Sequence, residues 1–301
     1  MIGSLLFALT VAVTFDDLPV TAGERGAPAG VLAVNRAIVS TLSKRHIPAV
    51  AFVNEIGLET EGVADPARVA ALSAWLDAGL ELGNHTYSHP SANRVPLDDY
   101  LDNILKGERV TKSLALAAGG SWRWFRHPFL QTGRDLATKH AIEGFLAEHG
   151  YRVAPVTIDN GEWIFASAYA KASKGGHRSS QRKIANEYVA YMERKTDYWE
   201  RSARALFDRD IPQVLLVHSN HLNADHFDRI AAMLKKRGYR FVTLETALTD
   251  SAYASPDAFI GAGGISWIHR WALTKGGSAA VLPDEPEVPA WVMKAAGVTS
   301  E

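Results

Sequence analysis

The sequence predicts an α/β protein whose parallel strands close into a barrel with helices outside. Three observations carry that reading. Apolar strand-like runs alternate with helical stretches, glycines stand at several helix ends, and polar residues with chemical potential fall where strand runs stop. A strand followed by a crossover helix gives parallel pairing, and closure of the sheet removes both exposed edges.

The elements follow in order along the chain. Strand-like runs cover Thr10 to Phe15, Ala49 to Val53, Leu80 to Asn84, Trp124 to Arg126, Tyr151 to Thr157, Val214 to His218 and Arg240 to Thr243. Helical periodicity marks Gly30 to Arg45, Ala67 to Ala78, Leu97 to Ala118, Arg134 to Glu148, Gln181 to Phe207 and His226 to Lys236. Gly79, Gly150 and Gly238 sit just past helix ends, where a left-handed residue without a Cβ is favoured. The small, polar and basic stretch Ala170 to Ser180 reads as a surface loop before a long helix. The pattern weakens beyond Thr249, so residues 1–250 are read as the barrel and 251–301 as a C-terminal extension. The Asp284-Glu285-Pro286-Glu287-Val288-Pro289 segment suggests a tail that wraps the barrel or is partly disordered.

Composition removes several function classes. With 301 residues, one large domain or two small ones are both permitted. Thirty-two basic and 33 acidic side chains give a net charge of −1, so nothing draws the chain to nucleic acid or an anionic membrane. Zero cysteines exclude disulfides, cysteine nucleophiles and thiolate metal sites, so a zinc site must use histidine and carboxylate. The apolar start, Met1 to Leu9, has no Lys or Arg before it and no small-residue cleavage site before the first strand. It reads as part of the fold or the remnant of a longer leader, which leaves the compartment open: exported with such a leader, cytoplasmic otherwise. No other apolar run reaches the length of about 18 residues that a membrane span needs.

Chemistry gathers at the strand ends. Asp16 and Asp17 close the first run, and two adjacent aspartates permit one to bind a metal while the other serves as a base. His85 and His89 follow the third run, and imidazoles at i and i+4 converge on one point if the segment makes a helical turn. Arg126 lies after the fourth run, Asp159, Glu162 and Trp163 after the fifth, and His218 closes the sixth. A buried arginine is costly without a partner, so Arg126 beside the aspartates makes sense as a carboxylate clamp. Residues at the C-terminal ends of parallel strands meet on one face.

Taken in order, five segments resemble the polysaccharide deacetylases, also called the NodB-homology domain or carbohydrate esterase family four. They are Thr14-Phe15-Asp16-Asp17, His85-Thr86-Tyr87-Ser88-His89, Arg126-His127-Pro128-Phe129, Asp159-Asn160-Gly161-Glu162-Trp163 and Leu216-Val217-His218. Five ordered matches across about 200 residues are far more specific than a single motif. The resemblance implies a distorted (β/α)7 barrel. It further implies that Asp17, His85 and His89 bind a divalent metal, usually zinc, with cobalt or nickel as substitutes. Asp16 would be the general base, held by Arg126, and His218 the general acid. The backbone N–H of Phe129 would stabilise an oxyanion, while Trp163, with Asp159, would line the substrate side. One departure stands out: Glu162 replaces the family's aspartate beside the tryptophan, and it is read as orienting His218 from one methylene further away.

The activity this implies is metal-assisted removal of N-acetyl groups from a glucosamine-containing glycan. O-deacetylation of xylan or a related glycan and opening of cyclic imides or ureides are the enzymatic alternatives. The non-enzymatic alternative is an inactive carbohydrate-binding barrel. Eight tryptophans, Trp122 and Trp124 among them, line a sugar-stacking cleft or pack the core.

Overall fold

The computed structural model describes residues 9–301. The apolar start therefore lies, up to residue 8, outside the described residues. Seven strands form one parallel sheet: β1 (Thr10–Leu18), β2 (Ala49–Val53), β3 (Glu81–Asn84), β4 (Trp124–Phe125), β5 (Arg152–Val153), β6 (Gln213–His218) and β7 (Arg240–Phe241). Their spatial order is β5-β4-β3-β2-β1-β6, with β7 paired to the first residues of β1. Ile158, a few residues beyond β5, bridges Leu215 of β6 in parallel and brings the two ends of that order together. The sheet thus curls into the distorted (β/α)7 barrel of the expected class.

Alternation along the strands sorts side chains into two layers. Val11, Val13 and Phe15 of β1, with Ala51 and Val53 of β2, pack against Val31, Ile38 and Leu42 of helix α1 (Pro28–Arg45) and Leu72 and Trp75 of helix α2 (Pro66–Asp77). The opposite face of the same strands fills the barrel: Ala12, Val50, Phe52, Trp124 and Val214, closed below by Leu244 and Ala247. Thr14 and Asp16 continue the inward series of β1 toward the open end.

Several expected elements differ from those observed, each for a local reason. The fifth run forms a strand only at Arg152–Val153, because Pro155 cannot donate to a ladder. The chain re-enters the sheet at Thr157 and Ile158, whose amides both reach the carbonyl of Val214 at 3.0 Å. The helix expected over Leu97 to Ala118 is two, α3 (Leu97–Lys106) and α4 (Thr111–Ala117). Between them Gly107 meets the backbone after β3, where a Cβ would stand 2.5 Å from the carbonyl carbon of Thr86. The buried Glu55 carboxylate accepts from the amides of Val110 and Thr111 and starts the second helix. Helix α5 (Leu136–Glu148) follows β4 much as expected.

The stretch read as a loop from Ala170 to Ser180 is mostly helical. Helix α6 (Glu162–Lys174) runs into it, and α7 (Arg178–Phe207) begins after a three-residue break. Ile164, Phe165 and Tyr169 of α6 are buried, a face that the Ala/Lys/Ser-rich sequence disguises. Helix α8 (His221–Lys236) follows β6, so both His221 and His226 are helical.

The C-terminal extension, after the short α9 (Leu244–Ala247), contributes to the main core. Trp267, Ile268 and Trp271 of α10 (Trp267–Gly276), with Val288 and then Val292 and Ala296 of α11 (Ala290–Ala296), are buried in it. The Trp267 amide donates to the carbonyl of Val156 at 2.8 Å and the Ser266 hydroxyl to that of Thr157 at 2.8 Å. The extension thereby takes up backbone groups left free where Pro155 interrupts the fifth strand.

Substituting Gly107→Ala should cost about 1–3 kcal/mol of stability by overpacking against the Thr86 backbone. Urea unfolding measures it, and an unchanged midpoint would show that the α3–α4 junction yields freely.

Candidate active site

The open end of the barrel gathers every segment singled out from the sequence. On β1, strict alternation would send Asp16 and Asp17 to opposite faces. Asp17 instead takes a left-handed backbone (φ 62°), and the register with β2 slips between Phe15 and Leu18. Both carboxylates consequently approach one imidazole: His85 Nε2 lies 3.8 Å from Asp16 Oδ2 and 3.7 Å from Asp17 Oδ1.

The two histidines converge without the helical turn that the spacing suggested. Residues 85–90 form a loop in which Thr86 (φ 68°) and His89 (φ 61°) are left-handed. Side chains fix this conformation. The Asn84 amide oxygen accepts from the Thr86 N–H at 2.7 Å, and the Thr86 hydroxyl accepts from the His89 N–H at 3.1 Å. Asn84 is itself anchored, donating to the carbonyl of Ile104 and to the hydroxyl of Tyr151.

Asp17, His85 and His89 form a three-donor cluster suited to a cation. His85 Nδ1 contacts the Arg126 carbonyl at 2.8 Å, and since a carbonyl only accepts, that nitrogen carries the proton. Nε2 then presents its lone pair to the carboxylates. His89 Nε2 lies 3.7 Å from Asp17 Oδ1. Donors around a tetrahedral zinc at about 2.0–2.2 Å stand roughly 3.3–3.5 Å from one another, so the two Asp17 contacts need little contraction to fit, and all three donors lie within 4.8 Å of one another. Burial first, and then the mutual proximity of the two rings for His85, hold both imidazoles below their ordinary pKa. Neutral imidazole is the form that ligates.

Asp16 is set apart by a different partner. The fully buried Arg126 guanidinium reaches Asp16 Oδ2 at 3.4 Å and the Thr14 hydroxyl at 2.9 Å, and lies over the Phe52 ring at 4.7 Å. Burial raises the Asp16 pKa while the charges of Arg126, His218 and His89 oppose it. Asp16 Oδ1 is buried and, among the described residues, without a hydrogen-bond partner. An acceptor left free in this way suits a base that must receive a proton.

His218 pairs in register with Asp16 across β1 and β6. Its Nδ1 lies 2.6 Å from Glu162 Oε2, at the start of α6, and the other Glu162 oxygen accepts from Asn220 at 2.6 Å and Asn223 at 2.9 Å. Burial works against a charged imidazole here. The hydrogen bond and charge of Glu162, joined by Asp17 and Asp16, outweigh it and hold the His218 pKa up to about 9. The longer side chain of Glu162 therefore reaches its partner.

Phe129 and Leu130 adopt successive left-handed conformations (φ 55° and 54°), and the exposed Phe129 ring stands 4.3 Å from that of His89. Trp163 is 43% exposed rather than core. A cavity of about 800 Å³ joins these groups, lined by Asp16, Asp17, His85, His89, Phe129, Asp159, Trp163 and His218. Arg126 and Glu162 sit buried behind it. Burial pushes Asp159 up to about 6, with Lys195 lowering it and Glu285 raising it. Trp122 and Trp124 do not line the cavity: Trp124 is fully buried, and the Trp122 indole donates to Tyr151 and Glu108. Sequence reasoning missed Asn220 and Asn223. Asn220 directly follows Ser219 as the N-cap of α8, accepting from the Asn223 N–H at 2.9 Å, a capping signal that is visible in the letters.

In the metal-free protein, the His218–Glu162 pair contributes stability fully below the ordinary imidazole value of 6.5 and loses it as pH rises through about 9. Glu162→Gln should lower the His218 pKa from about 9, because only the charges of Asp17 and Asp16 then oppose burial. NMR titration of the ring reads this directly, and an unchanged titration would remove Glu162 as the cause.

Comparisons with known proteins agree with this geometry. A family model described as polysaccharide deacetylase matches residues 8–153. The peptidoglycan-N-acetylglucosamine deacetylase of Bacillus cereus is 25% identical over 246 residues, covering 80% of this chain and 69% of that protein. Among solved structures, a mutant CE4 family pseudoenzyme with restored enzymatic activity, whose wild type comes from Bacillus anthracis, superimposes with a TM-score of 0.52 at 17% identity, over 80% of this chain and 68% of that one. The Bc1960 peptidoglycan N-acetylglucosamine deacetylase, solved with a hydroxamate-type benzamide, gives a TM-score of 0.51 at 22% identity, over 79% and 87%. At such identities the structures attest the shared barrel. Five ordered motifs thus gather at the mouth of a barrel whose residues 8–153 match the polysaccharide deacetylase family model.

Proposed function

We propose that this protein is a metal-dependent hydrolase that removes N-acetyl groups from a glucosamine-containing poly- or oligosaccharide. The observation that carries the reading is the division of labour in one cavity: a cation-ready Asp17–His85–His89 set, a clamped carboxylate in Asp16, and a cationic His218 in register with it. A divalent ion held by those three residues, zinc by the nature of the donors, supplies Lewis acidity toward an acyl carbonyl and acidifies water.

The chain's own groups supply the proton transfers. Asp16 takes the proton of the attacking water, and Arg126 favours its ionised form against the effect of burial. The Phe129 N–H donates to the oxyanion as it forms. His218 gives its proton to the departing nitrogen, with Glu162 stabilising the charged ring until that moment. An amine leaves poorly unless protonated, so an acid held this basic suits an amide more than an ester. Trp163 offers an exposed face for a sugar ring. The glucosamine assignment draws support from the relative in Bacillus cereus. The presence of both aspartates, both ligand histidines, Arg126 and His218 favours an active enzyme over a binding barrel.

Asp16→Asn should lower kcat/KM on an acetylated chito-oligomer by about 100- to 10,000-fold while zinc affinity is retained. His85→Ala should lose both activity and metal. Acetate release and metal titration measure the two, and near-normal turnover by Asp16→Asn would remove Asp16 as the base. Parallel assays on acetylated xylan and a cyclic ureide rank the alternatives, with the N-acetylated oligomer expected to turn over fastest.

A further inference from the structure

We propose that the C-terminal extension sets the geometry of the Phe129 turn and ties it to the metal-ligand loop, with Arg270 as the positioning residue. The assignment rests on the deacetylase reading, in which the Phe129 N–H faces the oxyanion. Two successive left-handed residues without glycine, Phe129 and Leu130, persist only where the surroundings over-determine them. Those surroundings come from residues 257–270, outside the stretch that the family model matches.

Arg270 is fully buried and spends its donors on the turn and the extension. Nη1 donates to the Leu130 carbonyl at 3.1 Å, Nη2 to the Thr132 hydroxyl at 2.5 Å, and Nε to Asp257 at 2.9 Å. Asp257 also pairs with the buried Lys139 at 2.8 Å, which fixes the carboxylate from the far side. The guanidinium lies 4.5 Å from the Trp267 ring centre. Gly264 abuts the turn so closely that a Cβ would fall 1.9 Å from the Phe129 carbonyl oxygen.

The same segment reaches the loop that follows His89. Asn93 donates to the carbonyl of Gly261 at 2.9 Å and Gln131 to that of Ala262 at 3.2 Å, while Ser91 donates to Gln131 at 2.5 Å. One strap thus holds the turn and the ligand loop in fixed relation, and the 4.3 Å contact of the Phe129 and His89 rings lies between its anchor points. Arg270 does not line the cavity, so it acts through Leu130 and Thr132.

The test uses the full-length, zinc-loaded protein with Arg270→Met and Arg270→Lys. Arg270→Met should lower kcat on an N-acetylated chito-oligomer by about 10- to 100-fold through misaimed geometry, with KM and zinc affinity within about 3-fold of wild type. Arg270→Lys should recover part of the loss, since an ammonium reaches the Leu130 carbonyl but lacks the fork. Hydrogen exchange at amides 129–132 should quicken at least about 10-fold in Arg270→Met while β1 and β6 stay protected. Unchanged kcat and exchange would overturn the proposal, as would a loss of activity that only follows zinc loss or general unfolding. If Arg270→Met does not fold, Gln131→Ala and Asn93→Ala cut the strap at its exposed end, and unaltered exchange at the turn in both would overturn it equally. Failure of the wild type on every acetylated substrate would reject the deacetylase reading, and the exchange comparison would still decide whether the extension holds the turn.

Discussion

The site depends on one buried arginine. Arg126 has no exposure to solvent, and a charge so placed survives only if every neighbour answers it. Asp16 supplies the countercharge, Thr14 an acceptor and Phe52 the face of a ring. The Thr14 hydroxyl donates in turn to the Leu215 carbonyl at 2.8 Å, which carries the connection to β6, the strand of His218. Meanwhile the Arg126 carbonyl selects the tautomer of His85. A single residue therefore orders the Asp16 carboxylate through its side chain and the His85 imidazole through its backbone.

Three histidines in one cavity take opposite roles because their partners differ. His85 leans on a neutral carbonyl and is held uncharged by burial, whereas His218 leans on a carboxylate and is held charged despite burial. Neither state follows from the residue type. Glu162 can play this part because it opens α6 and has Asn220 and Asn223 on its other oxygen, which leaves Oε2 facing His218. A shorter aspartate at the same backbone site would leave that network stretched.

Much of this was legible in the letters. Apolar runs located most of the strands, since burial on both faces leaves a strong signal, and the five motif segments all reached the mouth of the barrel. The failures have separate causes, one a tertiary contact and two local to the sequence. A single backbone approach at Gly107 split a helix, Pro155 interrupted a strand, and the Ala/Lys-rich α6 concealed its apolar side among small residues. The 85–89 loop reached the spacing of a helical turn by another path, through left-handed residues stitched by Asn84 and Thr86. Nothing in the local sequence announces that the extension completes the core, because its partners lie far away along the chain.

The repair at Pro155 has a consequence for biosynthesis. Hydrogen bonds between Ser266 and the Val156–Thr157 backbone span about 110 positions. As the ribosome extrudes the chain from its N-terminus, the Val156 and Thr157 carbonyls wait for these donors until residues 266 and 267 have emerged, long after residues 157–158 can join Val214. Until then these two carbonyls lack the Trp267 amide and the Ser266 hydroxyl that satisfy them in the folded chain.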